Sequence, residues 1–295
     1  MGDGCRGRGR PRRDVVDRSI SSLPDDLLHV ILLRLQSTPD AVRTGVLSRR
    51  WRRVWAQVPD LSFDQDYCDH VLRLWSSSIL RGIDAVVAAH SAPTLDRLAI
   101  SVRRSAGDST PALFAPWLRL ASQRLAGELE IRFLPPPAPT ALPNRLFRGA
   151  PVTIRSGSLE RLKLDGGVAD GRVTVDAPRL VRLEMSRTRH LDPSKVKGAR
   201  IAAPELSELI WRNAYHPSRD QIADARRHLR KLEVVPPDYY SLYYSSKFEV
   251  PKKMSALFKR FDYVDELSMH MDIPSCDTDE DEVRHDYSLL LGALL

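Results

Sequence analysis

The sequence predicts an α+β chain: a small three-helix head followed by a stack of irregular α/β repeats, horseshoe-like in outline. Three observations carry this. Apolar residues recur every three or four positions between Leu23 and Trp55. Beyond Asp60 a unit of the form L-x-x-L-x-apolar returns seven times. The 295 residues, 42% hydrophobic and 28% charged, suffice to bury a large core and give no sign of wholesale disorder.

Residues 1–18 are rich in Gly, Arg and Pro and are expected to form a disordered basic tail. The first 13 residues hold five arginines against one aspartate, more than half of the net charge of +7. The body is only mildly basic, so composition demands no broad nucleic-acid face.

The head follows over residues 19–63. Leu23, Leu27, Leu28, Ile31, Leu32 and Leu35 mark an amphipathic first helix. Pro24 suits its first turn, and Asp25 and Asp26 complement the positive end of its dipole. Thr38 is the expected cap of a second helix, with Pro39 at its first position. Ser48 is the expected cap of a third, which aligns Leu47, Trp51, Val54 and Trp55 before Pro59 stops it. Leu32, Leu35 and Val46 are expected in the head's own core. So small a unit has too little core for all its leucine and tryptophan, so the surplus must pack on the body or on another protein.

From residue 64 onward the pattern is one of short strands. Full copies of the unit begin at Leu95, Leu159, Leu180, Leu206 and Leu229; looser ones begin at Ala126 and Val264. The last three intervals between full copies are 21, 26 and 23 residues, within the leucine-rich-repeat range. Single repeats cannot bury their apolar side, so stacking must supply the core. In each strand the two apolar positions point inward, and the residue between them points to the concave face. That face would carry Arg161, Lys163, Arg182, Glu184, Glu208, Arg212, Lys231 and Glu233. Both signs are present, which suits a protein partner better than a nucleic-acid backbone. Tyr239, Tyr240, Tyr243 and Tyr244 form a second candidate contact, in a loop or packed on the next repeat.

Other signals carry less. No apolar run reaches the ~18–20 residues of a membrane span, and no apolar stretch follows the arginines as a secretory signal requires. Cys5, Cys68 and Cys276 are too far apart for a disulfide framework or a paired-cysteine zinc site, so a reducing compartment, nucleus or cytoplasm, is expected. Cys68, Asp69 and His70 lack a second ligand pair. The run Asp277, Asp279, Asp281 has Glu282 where a calcium loop needs glycine. No metal or other cofactor is expected. No nucleophile elbow, zinc-protease helix or phosphate loop occurs, so no catalytic residue is expected and the chain reads as a non-enzyme. Arg8-Gly9-Arg10-Pro11 resembles the core of a minor-groove AT-hook. A DNA-associated scaffold using residues 6–13 is therefore the alternative reading, and a solvated basic tail the simpler one.

One stretch is recognisable. Ser22-Leu23-Pro24-Asp25-Asp26-Leu27-Leu28, then Ala41-Val42-Arg43-Thr44, then Leu47-Ser48-Arg49-Arg50-Trp51-Arg52-Arg53-Val54-Trp55, with Pro59 to Phe63 behind, resembles the F-box of plant F-box/leucine-rich-repeat proteins of the FBD kind. Leu142-Pro143 with Leu146-Phe147, Ser158 to Leu164, and Arg260-Phe261-Asp262 with Val264 to Leu267 resemble later parts of that family. The chain departs from it at Leu289–Leu295, an apolar end without a polar capping repeat, which points to a fragment or an unusual gene model. The resemblance implies a non-catalytic adaptor that binds a Skp-type subunit, and through it a cullin, and recruits a protein substrate to a ubiquitin ligase. Carried over by position, Leu23, Pro24, Leu27, Leu28, Ile31, Leu47, Trp51 and Val54 would anchor the Skp-type subunit, and Arg49 and Arg50 would pair with its acidic groups.

Overall fold

In a computed structural model the chain is described at residues 20, 23–64, 76–103, 115–134, 151–166, 172–186, 197–212, 215–223, 229–235, 256–261 and 263–270. The arginine tail, Cys68 to His70, the tyrosine run, the acidic run from Asp277 and the apolar end lie outside the described residues.

The head holds α1 (Asp25–Arg34), α2 (Thr38–Arg43), a 3-10 turn (Thr44–Val46) and α3 (Arg49–Trp55). The caps differ from expectation at one point. Ser37, not Thr38, caps α2: its hydroxyl accepts from the Asp40 N–H at 3.3 Å. Thr38 lies inside the helix, buried, and its hydroxyl accepts from the Ser62 N–H at 2.7 Å. It thereby ties the head to the first strand of the body. Ser48 caps α3 as expected, accepting from the Trp51 N–H.

The described residues of the body form twelve strands, all paired in parallel: β1 (Asp60–Asp64), β2 (Leu95–Arg103), β3 (Leu125–Leu134), β4 (Val152–Arg155), β5 (Arg161–Asp165), β6 (Val173–Asp176), β7 (Arg182–Ser186), β8 (Ala199–Ala202), β9 (Glu208–Arg212), β10 (Gln221–Ala223), β11 (Lys231–Val235) and β12 (Glu266–Met269). Eight of them form one sheet in the order β1-β2-β3-β5-β7-β9-β11-β12, and the other four form a second in the order β10-β8-β6-β4. From β4 to β11 the chain alternates between the two sheets, and each round adds one strand to each.

The register explains the sequence repeats. Leu98, Leu129, Leu162, Leu183, Leu209, Leu232 and Leu267 stand side by side on neighbouring strands, so the second leucine of all seven copies falls in one row. The next inward row is Ile100, Ile131, Leu164, Met185, Trp211, Val234 and Met269. These rows meet Ile154, Val173, Val175, Ala199, Ile201 and Ile222 of the second sheet in one core. Trp211 is fully enclosed and meets Tyr215 edge to face, centroids 5.5 Å apart. The row ends at β12, where Leu267 is 55% exposed and does not join the core expected of it.

A second correction concerns the segments before β2 and β3, where the pattern gave strands alone. Two helices, α4 (Ser76–Ala89) and α5 (Ala115–Arg124), bring Ile83, Trp117, Leu120 and Ala121 into the core beside β1, β2 and β3. The signal was present in Ile83, Val86 and Val87 at helical spacing, but the longer intervals between repeats hid it. Between β2 and β3 the register shifts by one residue, and Gly127 sits at that shift. A Cβ there would lie 2.2 Å from the Asp96 carbonyl oxygen, so only glycine allows the two backbones to close.

Candidate protein-interaction surfaces

The head folds around its own core of Leu28, Leu32, Trp51, Val54, Trp55 and Val58, with Val86 of α4 shared between head and body. This corrects three of the residues expected to anchor a partner. Leu28, Trp51 and Val54 are at most 3% exposed, held by their own chain, so they shape the head and offer it no surface. The core expectation holds for Leu32 and fails for Leu35 and Val46, which are exposed at the two ends of the helical pair. One turn of a helix can satisfy both a core and a surface from neighbouring residues, and spacing alone does not say which face the chain covers.

The other anchors stay accessible. Leu27, Val30 and Leu33 are 48%, 51% and 41% exposed and lie on the side of α1 opposite Leu28 and Leu32. The outer side of α1 therefore carries an apolar stripe as well, with Asp26 and Arg34 exposed beside it. Pro24 is exposed, and Leu23 and Ile31 are half-buried beside this stripe. Leu47, between the 3-10 turn and α3, is 61% exposed next to Val46. Val30 and Leu33 were not among the expected anchors, although the helical spacing from Leu23 and Leu27 reaches them.

Arg49 is exposed at the start of α3, where a partner can reach it. Arg50 is not available in that way, a further correction. Its Nε donates to Asp25 Oδ1 at 2.7 Å, and it also donates to the Leu23 carbonyl. It braces α3 to the start of α1. His29 contacts the Val54 carbonyl through Nε2 at 3.1 Å and bridges the same two helices.

A cleft of about 660 Å³ opens where α1 and α2 meet β1, lined by Leu33, Arg34, Gln36, Thr38, Asp60 and Arg97 among others. Burial pushes the Asp60 carboxyl above its ordinary range, and Arg97, 3.9 Å away, opposes that. Behind the cleft His90 is buried and contacts the Val58 carbonyl through Nε2 at 2.9 Å; burial keeps it below the ordinary histidine range, so it is neutral at pH 7.

The eight residues expected to face a substrate all lie on the outer side of the eight-stranded sheet, away from the core. There they are paired with one another and with residues the sequence argument left out. Arg161 pairs with Glu128 at 3.3 Å, Arg182 with Glu208 at 2.9 Å and Lys231 with Glu266 at 2.7 Å. A second run, Asp60–Arg97–Glu130–Lys163–Glu184–Arg212–Glu233, crosses seven consecutive strands through contacts of 3.0 to 3.9 Å. Arg97, Glu128 and Glu130 occupy the same positions of the earlier repeat copies, so their place was readable once the copies were aligned.

Glu130 is the hub of this face. Its side chain is 5% exposed and touches Arg132 at 2.6 Å, Arg97 at 3.0 Å and Lys163 at 3.5 Å. Burial alone would raise its pKa, but the three cations, Arg132 foremost, overcome this and hold the carboxyl below its usual range. Every cation within these strands whose side chain is described has a carboxylate partner.

Residues 20–62 match the F-box domain. An F-box/LRR-repeat protein of Arabidopsis thaliana is 30% identical over 227 residues, covering 76% of this chain and 56% of that protein. Two F-box/FBD/LRR-repeat proteins of the same plant are 32% and 28% identical, covering 64% and 65% of this chain and 39% and 42% of theirs. The chain spans between about a quarter and a little over half of the length of the curated relatives it matches. No solved structure matches it.

Proposed function

Since the chain belongs among the plant F-box/leucine-rich-repeat proteins, we propose that it is a substrate-recruiting subunit of a Skp–cullin–F-box ubiquitin ligase. In this reading the head is a three-helix F-box. The coils of alternating sheets are a leucine-rich-repeat solenoid, and the chain works as a non-catalytic adaptor in the nucleus or cytoplasm. The head docks on a Skp-type subunit, which connects to a cullin. The repeats hold a protein substrate through their outer, charge-paired face. Tethering raises the concentration of substrate lysines near a ubiquitin-loaded enzyme carried by other subunits.

One observation carries the reading: α1 keeps an apolar stripe, Leu27, Val30 and Leu33, on the side its own core does not use. Among the described residues this side of α1 stays open to solvent, and a second protein docking on it would take the stripe out of water. Leu23, Pro24 and Ile31 lie beside the stripe, and Leu47 and Arg49 are exposed at the start of α3.

The test is titration of the full chain with a purified plant Skp-type subunit. Each of Leu27, Val30 and Leu47 has about half of its surface to give, and full burial of such a side chain is worth roughly 1.5–3 kcal/mol. Changing all three to Ala therefore removes about 3 kcal/mol, roughly a hundredfold in affinity, with little change in thermal midpoint. Undiminished binding by a folded triple variant refutes the anchor set. Failure of the unaltered chain to bind any Skp-type subunit refutes the adaptor reading itself.

A further inference from the structure

We infer that the outer side of the four-stranded sheet is a docking surface for an acidic protein segment. This goes beyond the adaptor reading and does not depend on it. The four strands turn Ile154, Val173, Val175, Ala199, Ile201 and Ile222 to the core. Their other side presents Thr153, Arg155, Thr174, Asp176, Arg200, Ala202, Gln221 and Ala223. Just before β6 and β8 stand Arg172 and Lys197, both exposed. Neighbouring strands lie ~4.8 Å apart, so Arg172 and Lys197 mark one end of the sheet while Arg155 and Arg200 stand further along it.

The contrast with the eight-stranded sheet carries the inference. There every cation within the strands whose side chain is described is matched by a carboxylate. Here Arg155, Arg172, Lys197 and Arg200 have no ion-pair partner among the described residues, and a single exposed carboxylate, Asp176, stands among them. The same chain thus builds one face that is neutral by internal pairing and another left positive. Unpaired surface cations are well hydrated and offer their whole field to an incoming anion.

The shape favours an acidic polypeptide over nucleic acid. The surface is a shallow four-stranded sheet floored by Thr, Gln and Ala, which can donate and accept hydrogen bonds along an extended chain. Its described residues include no aromatic side chain on which a base could stack, and it projects no helix or ribbon that would enter a duplex groove. A run of Asp and Glu side chains lying across the strands meets the cations one after another.

The experiment uses the full chain and a fluorescent poly-glutamate peptide, read by anisotropy at low and at physiological salt. The peptide binds, more weakly as salt rises, and the double change Arg172→Glu, Arg200→Glu weakens it about tenfold through loss of two attractions and gain of two repulsions. Both side chains are exposed, so the thermal midpoint of that variant stays near the parent's. Arg53→Glu, an exposed cation on α3 of the head, leaves peptide binding unchanged. The inference is overturned by absence of binding, by equal loss in the Arg53 variant, or by tighter binding of a DNA duplex than of the peptide. It is also overturned if the peptide binds only after the acids of residues 277–282 are neutralised, because the chain's own acidic run would then be the occupant.

Discussion

Changing Glu130 to Gln probes whether the ion pairs of the outer face hold the sheet together or merely decorate it. The carboxylate is almost enclosed and touches three cations at 2.6, 3.0 and 3.5 Å. An exposed pair is worth roughly 0.2–1 kcal/mol, while breaking a fully buried one costs roughly 3–5 kcal/mol. Arg97, Arg132 and Lys163 keep about a third of their surfaces in water, so screening pulls the value toward the lower bracket. We expect a loss of about 2 kcal/mol at pH 7, which lowers the thermal midpoint by about 4–8 °C for a chain of this size. The pH dependence gives the sharper signature. Glu130 has its pKa depressed in the folded state, so its contribution is fully present above the unfolded carboxylate value. It is lost as pH falls through the folded value, where the unaltered side chain becomes protonated and resembles the amide. Thermal unfolding of parent and variant from neutral to acidic pH should therefore show a gap that closes on acidification. A gap of constant size, or none at neutral pH, refutes the hub role of Glu130.

Three further predictions rest on single local contacts. Gly198 has φ of +85°, and a Cβ there would lie 2.5 Å from the Arg219 carbonyl oxygen, so Gly198→Ala should destabilise the chain by about 2–4 kcal/mol. An unchanged denaturation midpoint would show that the turn before β8 relaxes freely. Thr38→Val keeps the volume but strips the acceptor from the Ser62 N–H, at a cost of about 1–2 kcal/mol, and faster amide exchange at Ser62 reports the loss directly. Ser37→Ala should cost about 1 kcal/mol through the lost cap of α2 without affecting Ser62 exchange, which separates the two roles.

Much of the architecture was legible in the chain. The seven leucine-rich copies appear as neighbouring strands, with Leu162, Leu164, Leu183, Leu209 and Trp211 inside. Ser48 caps its helix, and the strand positions between the leucines face outward. These features are local: a period of two fixes which residues share one side of a strand, and a capping side chain needs only its next three residues. The helices α4 and α5 were less legible because they fill the irregular intervals between copies, where only short helical spacings such as Ile83 to Val87 mark them.

Which of two apolar faces the chain covers was not legible. Leu27 and Leu28 are adjacent leucines in one helix, yet the fold buries the second completely and leaves the first half in water. Trp51 is surplus by composition and core by packing. The charges behave alike. The sequence determined the net value of +7 and the presence of both signs in the strands. Tertiary structure alone decided that Glu130 gathers Arg97 and Lys163 from the two neighbouring strands beside its own Arg132, while Arg155, Arg172, Lys197 and Arg200 are segregated on the other sheet. The reason is that periodicity and composition describe a residue relative to its own element, whereas burial and pairing depend on what another element, many residues away, places against it.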